Sequence, residues 1–141
     1  LLYKPVLIIA FFGPLIVLFI LIGGIFSMSC FTELRSLFYP NSVKVIPENI
    51  YELLTPVALA HLIMGDGSVS RHGLIICTDS YTMPEIVRFI NVLMMRYRLD
   101  CRLRNHTPTQ PRIYIRQCSM PLLHTILTPY FHHSMLFKLA L

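Results

Sequence analysis

The chain has 141 residues, is 55% apolar and carries a formal charge of +5; that length bounds it to one domain with a modest core. Its four cysteines form no CxxC pair and its six histidines are scattered, which argues against a zinc site or a disulfide framework and fits buried reduced thiols. The charge has a location: from Asp66 onward nine basic residues face four acids, so this part carries either a solvated basic face or a surface for a polyanion.

Residues 5–32 contain no charged side chain. The run is long enough to cross a bilayer and too long for the apolar core of a signal peptide. Two readings stay open for residues 1–30. One is a membrane helix in which Pro14, Gly23 and Gly24 are tolerated as kinks. The other is fused upstream coding sequence foreign to the domain after it, and the absence of an initial Met fits a fragment or an in-frame extension. Residues 31–53 read as a connecting segment and 54–141 as the functional domain.

Within the connecting segment, FTELRSLFY has amphipathic helical spacing, Pro40-Asn41 breaks the chain, and SVKVIPENI reads as an extended piece and a turn. Residues 49–54 can form one helical turn. Thr55-Pro56 then opens a clear helix, a capping threonine before a proline at the first helical position. It runs through VALAHLIM and is predicted to end at Gly65 and Gly67, residues that permit unusual backbone geometry. SVSRHGLIICTD predicts a hairpin turning near Arg71-His72-Gly73. Thr82-Met83-Pro84-Glu85 opens a second helix, in which Ile86, Val87, Ile90, Leu93 and Met94 recur at helical spacing. CRLR and RIYIR alternate in polarity around the predicted loop NHTPTQP. Ser119-Met120-Pro121 starts a third helix by the same cap-and-proline logic, Pro129 stops it, and SMLFKLAL predicts a last short helix.

The order is helix, strand, strand, helix, strand, strand, helix, an α+β arrangement. Strand alternation puts Arg102, Arg104 and His106 on one face, and Arg112, Tyr114 and Arg116 on one face of the next strand. Helices over the apolar side would leave a four-stranded sheet presenting arginine and tyrosine. A β-ribbon surface of that width can enter a DNA major groove.

The segment LAHLIMGDG, residues 59–67, resembles the nine-residue signature of the LAGLIDADG homing endonucleases. Leu59, Ala60, Leu62, Ile63, Asp66 and Gly67 match it, Gly65 matches as a small residue, and His61 and Met64 depart. The likeness runs from about Phe31 to Lys138. FYPN, LLTPVALAH, IMGDGS, CTDSYT, RIYI and MLFKL look like the second half of the mitochondrial intron-encoded branch. The resemblance implies a single αββαββα half, built on ββαββ, with a four-stranded antiparallel DNA-facing sheet; the apolar N-terminal helix read from composition stands outside it, where a first repeat would be.

It also implies a chemistry. In the family two motif helices pack side by side and bring two Asp residues to the scissile phosphates, where they hold divalent metal. Asp66 would be that ligand, helped by the main-chain carbonyl of Gly65, and a hard cation with such ligands fits Mg²⁺. Taken on its residues alone, Asp66 could equally be a turn-forming residue between two glycines. Asp79 falls either beside the catalytic water or in a turn before the second helix. Lys138 and Arg116 are candidates for the cation offsetting phosphate charge, or are surface cations on backbone phosphate. Arg71, Arg102, Arg104, Arg112 and Tyr114 would face DNA. Leu59, Ala60, His61, Ile63 and Met64 would form the partner-helix interface. One motif provides one carboxylate, so a second half is required. His61 stands where the motif usually has glycine, and two facing imidazoles would clash in a symmetric pair, so the partner is expected to be non-identical.

Three function classes are compatible with these features: a DNA endonuclease, a truncated half or an inactive remnant of one; a non-cleaving nucleic-acid binder such as an intron RNA maturase; and a membrane protein whose tail is residues 31–141. The family's mitochondrial branch suggests a mitochondrial setting.

Overall fold

The fold, taken from a computed structural model, is described for residues 36–139. The apolar run expected as an N-terminal helix lies outside those residues. Of the helix expected over FTELRSLFY, residues 36–38 are described and are helical. A 3-10 turn at Pro40–Ser42 follows, then an extended stretch and a short helix α1, Ile50–Leu53. Phe38, Ile46 and Ile50 are all buried in the common core, so this part of the connecting segment packs into the domain it precedes.

Helix α2, Pro56–Asp66, begins as its sequence dictates. Thr55 accepts the Ala58 N–H on its hydroxyl at 3.2 Å, and Pro56 occupies the first turn. Its end departs from expectation: the helix continues through Gly65 to Asp66, and strand β1, Gly67–Ser70, starts at the next residue. No glycine among the described residues has a positive φ. Gly67 is required for a different reason, since a β-carbon there would stand 2.4 Å from the Ile63 carbonyl oxygen.

A two-residue turn at Arg71-His72 leads to β2, Gly73–Ile76. Helix α3, Met83–Tyr97, opens with Glu85 reaching back to accept the Thr82 N–H and O–H, both at 2.7 Å. It closes on Arg98 in the left-handed region, φ 56. Arg98→Gly is therefore expected to raise stability by about 1 kcal/mol, the usual cost of a β-carbon in that conformation, measurable by urea denaturation.

Strands β3, Cys101–Thr107, and β4, Gln110–Ile115, are longer than expected. The predicted loop NHTPTQP shrinks to a turn at Pro108-Thr109, because Asn105 pairs with Pro111 and Thr107 with Gln110. Proline is tolerated at that position because it needs no ladder N–H there. Helix α4, Met120–Leu127, starts at the expected proline, but Ser119 does not cap it. The buried Ser119 hydroxyl instead accepts the Asp100 N–H at 2.7 Å. A 3-10 stretch, His133–Leu139, ends the described chain.

The four strands form one antiparallel sheet in the order β1-β2-β4-β3. Its register sets two faces. Leu74, Ile76, Ile113 and Ile115 point inward and are fully or almost fully buried, against a core that includes Ile86, Phe89 and Leu93 from α3. Each such side chain contributes roughly 1.5–3 kcal/mol by leaving water. On the outer face, Ser68, Ile75, Tyr114 and Arg102 stand in one row across the four strands. Strand β3 is an edge of the sheet. Leu103, which alternation puts on the inner face, is 42% exposed at that edge although its neighbour Ile113 on β4 is fully buried.

Candidate active site and nucleic-acid interface

Asp66 is the last residue of α2, half-buried where helix becomes strand. Its carbonyl accepts the Cys77 N–H at 3.0 Å, which ties the helix end to the end of β2. Burial raises its carboxyl pKa, and the positive charges of Lys44 and then Lys138 offset part of that rise. Two phenols complete the surroundings. The hydroxyls of Tyr39 and Tyr81 are pushed up in pKa, first by their burial and second by the Asp66 charge. The Lys44 ammonium sits 5.2 Å from the Tyr81 ring centroid.

Lys138 is placed by α2 itself. Its ammonium donates to the Met64 carbonyl and, at 3.5 Å, to the Gly65 carbonyl. The unpaired carbonyls at a helix C-terminus attract cations, and here they gather one immediately beside Asp66. The structure therefore brings together three of the expected residues: Asp66, Gly65 and Lys138.

Arg116 is not brought to this place. It lies past the opposite end of β4, where its guanidinium binds Asp100 at 2.6 Å. The register explains this: Ile113 stands beside Ile76 and hence Gly67, whereas Ile115 stands beside Leu74 and hence Val69. Arg116 thus runs along the strand away from Asp66. Asp79 lies at the Asp66 end of the sheet, just past β2, but its carboxylate is engaged with Arg112. Nε donates to Oδ1 at 3.0 Å and Nη2 to Oδ2 at 2.7 Å. The Arg112 hydrogen bonds hold the Asp79 pKa below the usual carboxylate range.

The expected DNA-facing arginines of the strands, Arg102, Arg104 and Arg112, share the outer face with Tyr114 as alternation requires. Arg102 pairs across the strands with Tyr114, and Arg104 with Arg112. The Arg104 guanidinium lies 5.6 Å from the Tyr114 ring centroid and donates to the Ser70 hydroxyl at 3.2 Å. Arg71 sits exposed on the β1–β2 turn with φ 32. A shallow cavity on this face is lined by Ile75, Arg104, Asn105, His106 and Arg112.

The residues expected at a partner-helix surface differ in exposure within this chain. Leu59, Ala60 and Ile63 are 0% exposed and Met64 is 7% exposed. They pack into this chain's own core, because α2 is apolar on nearly every side. Of the five residues only His61 is partly exposed, with its Nδ1 2.8 Å from the Val57 carbonyl. The outer line of α2 is therefore Val57, His61 and Gly65, spaced at i, i+4 and i+8.

Sequence reasoning missed Lys44, Tyr39 and Tyr81. Lys44 is one cation in an extended stretch with no motif around it. The two tyrosines lie inside the family-like segments FYPN and CTDSYT, yet nothing in those segments gives them a role. Only packing around Asp66 selects them.

A family model described as the LAGLIDADG DNA endonuclease family matches residues 24–123. The chain is 33% identical over 118 residues to intron-encoded endonuclease ai4 of Dictyostelium discoideum, covering 82% of this chain and 74% of that protein. It is 33% identical over 111 residues to cytochrome b mRNA maturase bI2 of Debaryomyces hansenii, covering 78% of this chain and 42% of that protein. Among solved structures, the homing endonuclease I-WcaI bound to its DNA recognition sequence matches with a TM-score of 0.74 at 25% identity, over 81% of this chain and 54% of that one. The chain thus spans about half the length of that structure and less than half of the maturase.

Proposed function

The chain belongs to the LAGLIDADG DNA endonuclease family, and on that premise we propose that it is one half of a homing endonuclease hydrolysing DNA phosphodiester bonds with a divalent cation. One observation carries the reading. The carboxylate ending the motif helix is half-buried beside two lysines, at the edge of a sheet whose outer face carries Arg102, Arg104, Arg112 and Tyr114.

The donor set fits Mg²⁺. Asp66 offers a carboxylate and Gly65 a main-chain carbonyl, and this helix end already gathers the Lys138 ammonium. Mg²⁺ needs only one or two protein carboxylates besides waters and phosphate oxygens, so one Asp from each half is a sufficient set. Once bound, the cation would supply Lewis-acid stabilisation of the phosphate and an activated water. The chain's own residues supply position: the Gly67 close approach fixes Asp66 at the sheet edge, and Lys44 and Lys138 offset negative charge around it. Asp79 serves this site by holding Arg112, and Arg116 acts at most as a distant phosphate contact.

The second half packs on the Val57, His61, Gly65 line of α2. An imidazole in the middle of that line favours a non-identical partner with a small residue opposite. The intron-encoded relative supports a mitochondrial setting of the kind its branch implies. Cytochrome b mRNA maturases among the relatives support a second reading, in which the same basic face binds intron RNA without cleavage. A membrane role would rest on residues 5–29, and no helix among the described residues is long and apolar enough to cross a membrane.

DNA affinity of the full chain should fall steeply with salt. Even three phosphate contacts cost about fortyfold between 50 and 200 mM salt, from a slope near −0.9 per phosphate. Fluorescence anisotropy across that range tests it. A flat response removes the polyanion reading, and a clear preference for structured RNA over duplex DNA favours the maturase alternative.

A further inference from the structure

Asp79 and Arg112 are 33 residues apart and meet side-on. A guanidinium has five N–H donors in one rigid plane. Asp79 occupies the edge formed by Nε and one proton of Nη2. The other Nη2 proton and Nη1 remain on the end edge, directed away from the carboxylate. Both members of the pair are anchored. The Thr78 hydroxyl, next to Asp79, donates to the Pro111 carbonyl, next to Arg112, at 2.7 Å, and Thr78 is buried. Each partner's side chain keeps 25% exposure, and Arg112 lines the shallow outer-face cavity with Ile75, Arg104, Asn105 and His106. Arg104, by contrast, is committed to the Tyr114 ring and Ser70.

We propose that Asp79 makes Arg112 a fixed reader of guanine: braced along its Nε edge, the guanidinium presents its end edge to O6 and N7 of one guanine in the major groove. Asp79 is then a positioning residue that sets base specificity through Arg112. The geometry is the one a bidentate arginine–guanine pair demands. Bracing removes the rotamer freedom that an unheld arginine would lose on binding. The carboxylate also cancels the attraction of Arg112 for backbone phosphate, so the pair favours base reading over non-specific binding. The inference rests on the DNA-binding reading of the sheet.

The test is selection from randomised DNA duplexes by the full chain, comparing wild type with Asp79→Asn, Asp79→Glu and Arg112→Lys, each shown to be folded by circular dichroism. Wild type should select guanine at one position. Asp79→Asn and Arg112→Lys should lose about tenfold of that preference, with other positions unchanged. Asp79→Glu should restore part of it. In Asp79→Asn the freed charge should also steepen the log K against log salt slope by about one, a change that a purely structural role would not produce. An Asp79→Asn protein that keeps the full guanine preference overturns this inference alone. A wild type that selects no sequence at all overturns it together with the sequence-specific DNA reading.

Discussion

Asp66→Asn is expected to abolish strand cleavage and at the same time make the fold more stable. Cleavage by the chain paired with a motif-bearing partner should drop at least about a thousandfold, the several kcal/mol that a metal ion contributes at a phosphoryl centre. DNA affinity should stay nearly unchanged, because phosphate and base contacts lie on the sheet. The stability gain follows from the sign of the carboxyl shift. Burial raises the Asp66 pKa above its ordinary value, with Lys44 and Lys138 only partly offsetting it. The folded chain therefore holds this proton more tightly than the unfolded chain does. Stability contributed by the protonated form is present at low pH and lost as pH rises through the raised pKa. At neutral pH the native fold carries a half-buried charge that asparagine does not have. Thermal melts from acidic to neutral pH should show the wild type losing ground to Asp66→Asn as pH climbs. A variant that still cuts DNA would remove the metal assignment. A variant less stable than wild type at neutral pH would instead make the carboxylate a structural turn residue.

Gly67→Ala should be the most damaging single-methyl change in the motif. The added carbon would stand 2.4 Å from the Ile63 carbonyl oxygen and 2.9 Å from the Ile63 side chain. Neither neighbour can retreat easily. The carbonyl accepts the Gly67 N–H at the helix end, and Ile63 is fully buried in the core. The expected cost is about 3 kcal/mol, in the range of strain and overpacking in a rigid site, read as a fall in the urea midpoint. Activity should fall further than stability explains, because the helix-to-strand junction that aims Asp66 must shift to make room. If Gly67→Ala is as stable and as active as wild type, the close approach is not what selects glycine there. The residue's backbone is in the ordinary extended region, φ −82 and ψ 144, so conformational freedom would not explain it either.

Much of the architecture was legible from local chemistry. Thr55-Pro56, Thr82 with Glu85, and the proline of Met120-Pro121 each mark a helix start that the fold realises. Alternation in CRLR and RIYIR assigned Arg102, Arg104, Arg112 and Tyr114 to one face, and the register agrees. These signals are local because capping and strand alternation involve residues only a few positions apart. Local reasoning failed where a residue had two short-range uses and a distant partner chose between them. Ser119 looks like a cap and instead serves Asp100. NHTPTQP looks like a loop and is mostly strand, because pairing across Asn105 and Pro111 outweighs weak strand propensity.

By itself, then, the sequence determined the elements, their order, the motif carboxylate and the basic face of the sheet. Tertiary structure alone decided which charges meet. Lys44 and Lys138, 94 residues apart in sequence, both act on Asp66, Asp79 braces Arg112, and Arg116 is drawn off to Asp100. The physical reason is range. A cap or an alternating strand is specified within a few residues, whereas a charge's partner depends on strand register and on helix packing between segments that composition and spacing do not connect.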